Sequence, residues 1–274
     1  MTIAAKNRWA GFWFLLPALV LLVVLIIFPL INAFYLSVHK QMIYELEGRF
    51  VGVKNYIKIL SSKDFWLAFA RSFIWTSGTL IGQLLIGTAA ALLLNKEFKG
   101  RTLVRAFVIL PFFIPTVSAT LMWKWLLNAN YGIISFWVNT ILGREAEPIM
   151  WLTSKSFAFF TVIMIGIWRF FPFVTINVLA RLQIIPEELY EAAKIDGANT
   201  WQLFRYITAP AIKEVFIVVA LLRGIFMLKK FDIIYMLTAG GPGTSTETLP
   251  LYIYNYAFSG MRLGHGSAAA ILLF

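Results

Sequence analysis

The sequence predicts an all-α, polytopic membrane protein, and two compositional facts and one pattern carry that prediction. Of 274 residues, 60% are hydrophobic and only 14% are charged, against roughly 45–50% and 25% in soluble domains. Such a chain has too little polar surface to coat the two soluble domains its length would otherwise suggest. The pattern is a series of apolar runs long enough to cross a hydrocarbon core of about 30 Å. The absence of Cys excludes a disulfide scaffold, thiolate metal sites and a Cys nucleophile. The two histidines, His39 and His265, lie far apart in the chain and lack acidic neighbours for a metal or acid–base site. No metal site is expected.

The first apolar run, Gly11 to Ser37, follows Lys6 and Arg8. It is too long for the apolar core of a signal peptide and no small-residue cleavage site closes it. It reads as a membrane helix from about Phe12 to Tyr35, with Pro17 and Pro29 as tolerated kinks. A mixed stretch follows. Tyr44 to Gly48 is expected as a loop, and Val53 to Leu60 as an interfacial helix with Lys54 and Lys58 opposite its apolar face. The second run, Phe65 to Leu94, ends in a basic loop holding Lys96, Lys99, Arg101 and Arg105.

The third run covers Val104 to Leu127 and contains Pro111 and Pro115; a polar connection from Asn128 to Lys155 holds Arg144, Glu145 and Glu147. The fourth run, Ser156 to Ala180, is interrupted by Arg169 and Pro172. The longest polar stretch, Arg181 to Glu214, precedes a fifth run from Val215 to Leu237 that carries Arg223, Lys229, Lys230 and Asp232. If that run is one helix, Lys230 lies about 22 Å along it; Lys229 or Lys230 could pair with Asp232, with only Lys229 on the same side of the helix. A Gly-rich turn, Gly240 to Gly243, and a loop with Tyr252, Tyr254 and Tyr256 lead to Arg262. From Ser267 to Phe274 the chain offers only about 12 Å of helix, so a sixth helix is expected to begin and to be incomplete in this chain. Lys and Arg are slightly more frequent in the segments that would be cytoplasmic if the N-terminus is.

The net charge of +11 suits loops that anchor membrane helices and meet anionic lipid. No basic stretch is long enough for a nucleic-acid groove, so nucleic acid is not an expected partner.

The segment 181–214 is the informative one. Pro186 followed by Glu187 and Glu188 is a helix start, with Pro at the first helical position and acids at the positive end of the dipole. Asp196-Gly197 breaks that helix. Asn199 with Gln202 three residues on reads as a capping box for a second short helix, expected to stop just before Pro210. Within this helix–turn–helix, Glu191-Ala192-Ala193, Gly197, Ile207 and Ala209-Pro210 resemble the EAA loop of binding-protein-dependent ABC importer permeases; Ala209 stands where that family usually has Leu. Lys230 to Pro242, Phe50 to Tyr56 and Gly264 to Ala268 resemble the carbohydrate (maltose-type) branch of the family, and the likeness runs from about residue 10 to 274.

The resemblance implies a type I ABC importer permease fold with six transmembrane helices, in one permease domain over 1–274. It implies a bacterial inner-membrane location with a cytoplasmic N-terminus. The expected partners are a second permease (a different chain), two ATPase subunits, a periplasmic or lipid-anchored binding protein, a sugar-type solute and membrane lipid. Glu191, Ala192, Ala193, Asp196 and Gly197 would couple the chain to the ATPase. No Gly-Lys-Ser/Thr phosphate motif occurs, so no cofactor is expected in this chain, with ATP and Mg on the partner ATPase; the chain itself is not an enzyme.

Matched onto the family pattern, Phe112 and Thr116, then Gly166, Arg169, Phe170 and Phe173, then Phe226, Met227 and Lys230 would line the solute path. Arg169 and Lys230 stand where a neutral-sugar pattern has uncharged residues. The solute is therefore expected to carry a carboxylate, sulfonate or phosphate, or to be strongly hydroxylated. The alternatives are an ion-coupled secondary transporter, which predicts inverted repeats and paired intramembrane acids, and a membrane enzyme, which predicts a catalytic constellation. Asp232 is the one acid within an apolar run.

Overall fold

The computed structural model describes residues 3–144 and 147–274; Glu145 of the polar connection lies outside them. The chain runs α1 (Ile3–Leu22), a π-helical turn (Val23–Ile27), α2 (Phe28–Ser37), β1 (His39–Lys40), β2 (Arg49–Phe50), α3 (Lys54–Leu60) and α4 (Lys63–Asn95). It continues through α5 (Arg101–Phe113), α6 (Thr116–Leu126), α7 (Ile133–Ile141), α8 (Ala158–Leu182), α9 (Glu187–Ile195) and α10 (Thr200–Leu203). A second π turn (Phe204–Thr208) leads to α11 (Ala209–Leu228), α12 (Asp232–Thr238), α13 (Leu249–Tyr254), a third π turn (Asn255–Ser259) and α14 (Leu263–Leu273). Helix dominates, as the sequence predicts.

Gly11–Ser37, Lys63–Asn95 and Ala158–Leu182 are long and apolar enough to cross a membrane. The expected third run is not one straight helix. Arg101–Phe113 and Thr116–Leu126 meet at 100°, because Pro115 forces Ile114 out of helical geometry into an extended conformation (φ −64°, ψ 129°). The expected fifth run is also broken: α11 stops at Leu228 and α12 starts at Asp232. Over its 20 residues α11 holds Lys213, Glu214 and Arg223, which keeps it from passing as an apolar span by composition.

Pro17, Pro111 and Pro172 lie inside continuous helices, so Pro172 does not interrupt the fourth run, and two further prolines are accommodated by a wider turn. Pro29 and Pro210 each follow a π turn by two residues. The carbonyl that each proline ring would strike, four residues back, belongs to Leu25 or Tyr206, the middle residue of that turn. The wider turn takes up the missing N–H. The second helix of the polar segment therefore continues into α11 instead of stopping before Pro210. Likewise Tyr252, Tyr254 and Tyr256 are helical rather than in a loop. The polar connection holds a helix, α7, with Ser135 and Asn139 buried and Ile133, Phe136, Trp137 and Ile141 exposed; Asn139 Oδ1 accepts from Ile149 N at 3.1 Å. Polar side in and apolar side out suits a helix against lipid.

The chain divides into two compact units, residues 1–67 with 252–274 and residues 68–251. In the first, α14 packs on α2, and a Cβ on Gly264 would strike the carbonyl oxygen of His39, so only glycine allows that approach. His265 stacks on Tyr256 with centroids 4.4 Å apart, and its Nε2 lies 3.2 Å from the Tyr252 hydroxyl. In the second unit α8 packs against α5, α11 and α12. Ala91, Val174, Val178, Leu182, Ile212 and Val219 form a core cluster there.

Candidate functional site

Two breaks in the helices set the site, all of it within residues 68–251. Pro115 has no N–H, so the carbonyl of Pro111, four residues before it, loses its helical donor. Arg169 of α8 supplies one: Nη1 donates to Pro111 O at 2.6 Å, and Nη2 reaches Thr116 Oγ1 at 3.4 Å. Arg169 is 6% exposed, so this guanidinium holds the bend between α5 and α6 from inside. At the second break, Met227 O accepts from Trp75 Nε1 at 3.0 Å and from Lys230 N at 3.1 Å.

Three cations converge on one ring. The Arg223 guanidinium lies 4.6 Å from the Phe170 centroid, Lys230 Nζ 5.1 Å and the Arg169 guanidinium 5.6 Å. Each is within cation–π range, worth about 0.5–2 kcal/mol depending on desolvation. Arg223, 5% exposed, also donates from Nε to Gln83 Oε1 at 2.9 Å and lies 5.4 Å from the Phe173 centroid. Lys230 pairs with Asp232 at 3.0 Å, two residues on, because the backbone leaves the helix between α11 and α12. Asp232 also acts electrostatically on Arg169. Three positive groups against one carboxylate leave a net charge of about +2 around Phe170. Charged groups inside otherwise apolar runs mark a functional cavity by default.

Of the residues predicted for the path, the structure gathers Phe112, Thr116, Arg169, Phe170, Phe173, Met227 and Lys230. Phe112 packs on Phe173 with centroids 6.0 Å apart, and Arg223 Nη2 touches Met227 Sδ at 3.7 Å. Gly166 lies one turn before Phe170 on α8, where a Cβ would lie 2.5 Å from Trp75 Cη2, so it is also the crossing point of α8 on α4. Phe226 is 58% exposed, whereas Arg223 and Met227 of the same helix are buried. Sequence reasoning passed over Gln83, whose one signal is an amide inside an otherwise apolar run.

The helix–turn–helix forms at the opposite end of α8. Gly197 takes φ +84° after Asp196 closes α9, and Asn199 and Gln202 make the expected reciprocal capping box. The Tyr190 hydroxyl lies 2.9 Å from Thr208 Oγ1, and Arg181 Nε donates to Ala211 O at 2.9 Å. Tyr190 thereby ties the knob to the turn that enters α11, and Arg181 ties α8 to α11. Ile195, Trp201 and Tyr206 are exposed on it beside Glu191. Apolar groups on an otherwise polar loop suit a protein partner.

Residues 83–274 match the family described as the binding-protein-dependent transport system inner membrane component. The chain is 40% identical to the trehalose/maltose transport system permease protein MalF of Thermococcus litoralis, over all of this chain and 92% of that one. It is 36% identical to the sulfoquinovosyl glycerol transport system permease protein SmoG of Agrobacterium fabrum, over 98% of this chain and 86% of that one. Among solved structures it resembles a bacterial alginate ABC transporter in complex with an alginate pentasaccharide-bound periplasmic protein. There the TM-score is 0.84 at 25% identity, over 97% of this chain and 89% of that one.

Proposed function

The chain belongs to the binding-protein-dependent transport system inner membrane component family, and from that premise we propose that it moves an acid-bearing sugar through a path past Phe170. It is a permease subunit of an ATP-driven sugar importer, a transport rather than a catalytic subunit, and it works with a binding protein and an ATPase. A second, different permease completes the path, and ATP with its Mg is bound and hydrolysed on the ATPase. The N-terminus and the helix–turn–helix face the cytoplasm.

The observation that carries the acidic solute is the convergence of Arg169, Arg223 and Lys230 on Phe170 with Asp232 as the one acid among them. Relatives and neighbours named for a sulfonated sugar and for alginate support the same chemistry. Lys230, at 23% exposed, is the accessible cation, whereas the two arginines are buried and committed to Pro111 and Gln83. A solute carboxylate or sulfonate exchanges with Asp232 on Lys230, and the Phe170, Phe173 and Phe112 rings pack on the sugar's C–H faces. No proton-coupled acid pair is needed.

Import assays in proteoliposomes carrying the complete importer test this. With Lys230→Gln, uptake of a hexuronic acid should fall about tenfold relative to a neutral hexose, the factor that about 1.4 kcal/mol of lost charge recognition gives. An equal change for both sugars removes the acidic reading.

Coupling rests on Glu191, Ala192, Ala193, Asp196 and Gly197, presented on a knob that Tyr190 ties to the turn entering α11. Glu191→Gln should leave the complex assembled and ATP turnover measurable while uptake drops severalfold; normal uptake per ATP would exclude Glu191 from coupling.

A further inference from the structure

A cavity of about 860 Å³ lies at the N-terminal end of α8, at the end opposite the coupling knob. Two short helices lead to it from the cation cluster. α6 begins at Thr116, the partner of Arg169, and presents Lys124 and Trp125 to the cavity; α12 begins at Asp232, the partner of Lys230, and ends in its wall at Thr238. The rise of α12 is about 10 Å and that of α6 about 16 Å, the length of two or three sugar units.

The lining has the chemistry of a carbohydrate site. Trp125, Tyr131, Trp151 and Tyr235 contribute aromatic surface. Trp125 and Tyr131, 69% and 63% exposed, meet at 57° with centroids 5.9 Å apart, so neither ring covers the other's face. Asn128 commits its side-chain oxygen to Asn130 N at 2.9 Å, which leaves its amide N–H groups to donate. Lys124 is paired with no carboxylate among the described residues, and no Asp or Glu lines the cavity. Flat apolar faces, amide donors and one uncompensated cation fit a pyranose bearing an acid.

We propose that this cavity is an outer saccharide subsite, in which a second sugar unit stacks on Trp125 with its acid on Lys124 while the leading unit occupies the Phe170 cluster. This rests on the sugar-importer reading above, and length dependence separates the two. Uptake of a hexuronic acid monomer and of its linear trimer is measured in proteoliposomes with the complete importer. Trp125→Ala should raise the half-saturating concentration of the trimer about tenfold and change that of the monomer less than twofold. Lys124→Gln should do the same more weakly, at unaltered assembly with the partner subunits. Equal effects on monomer and trimer, as expected if Trp125 only anchors the chain in lipid, overturn the subsite and leave the sugar reading standing. Should the wild-type importer take up neither probe nor any neutral hexose, the sugar reading falls and the subsite with it.

Discussion

Arg169 joins a structural bend to the proposed path. Its hydrogen bond to Pro111 O satisfies a carbonyl that Pro115 orphans, and a buried acceptor left without a donor costs about 1–3 kcal/mol. Arg169→Ala should therefore lower the detergent melting temperature and impair uptake of every solute, whereas Lys230→Gln discriminates by solute charge at unchanged melting. A melting curve for Arg169→Ala that overlays wild type would remove the pinning role. Gly166→Ala places a methyl 2.5 Å from the Trp75 ring and should destabilise by about 1–3 kcal/mol, read as loss of monodisperse protein on heating. The charges themselves were legible in the sequence, because Arg and Lys inside apolar runs stand out. Their partners were legible only in part: Gln83 is distant in sequence, whereas Lys230–Asp232 was one of two pairings the spacing allowed, and the break in the helix makes it possible.

Elements were legible where one physical signal dominates. The helix–turn–helix followed from Pro186, Gly197 and the Asn199–Gln202 box, each a local constraint on backbone angles. Proline was the weak point, since its effect depends on what precedes it. Pro115 bends the chain by 100°, whereas Pro210 sits in a continuous helix because a π turn absorbs its missing N–H. α7 hid because its buried face is polar and its exposed face apolar, the reverse of a soluble helix. A prediction belongs to this scale. Gly197 has φ +84° and open space around it, so Gly197→Ala meets backbone strain of about 1–2 kcal/mol without any clash. The knob should loosen while the spans stay folded, and ATP turnover should rise less when loaded binding protein is added. Undiminished stimulation would show that the turn tolerates the change.

For the whole chain, 60% apolar content and +11 charge already required a membrane protein whose basic residues serve several ends. Among them Arg169, Arg223 and Lys230 converge on Phe170, where Asp232 is the acid paired with Lys230. That imbalance has an electrical consequence. An anion drawn inward across a membrane that is negative inside does work of about 2.3 kcal/mol per charge per 100 mV. Fixed positive groups in the path flatten the barrier along the way but leave the end-to-end work unchanged. On the acidic-solute proposal the solute must therefore be driven against the field, and a more negative interior should reduce accumulation of a uronic acid while leaving a neutral sugar unaffected. Potassium-diffusion potentials imposed on proteoliposomes measure it directly, and a voltage-independent ratio of the two solutes would mean that the solute crosses with its charge already neutralised.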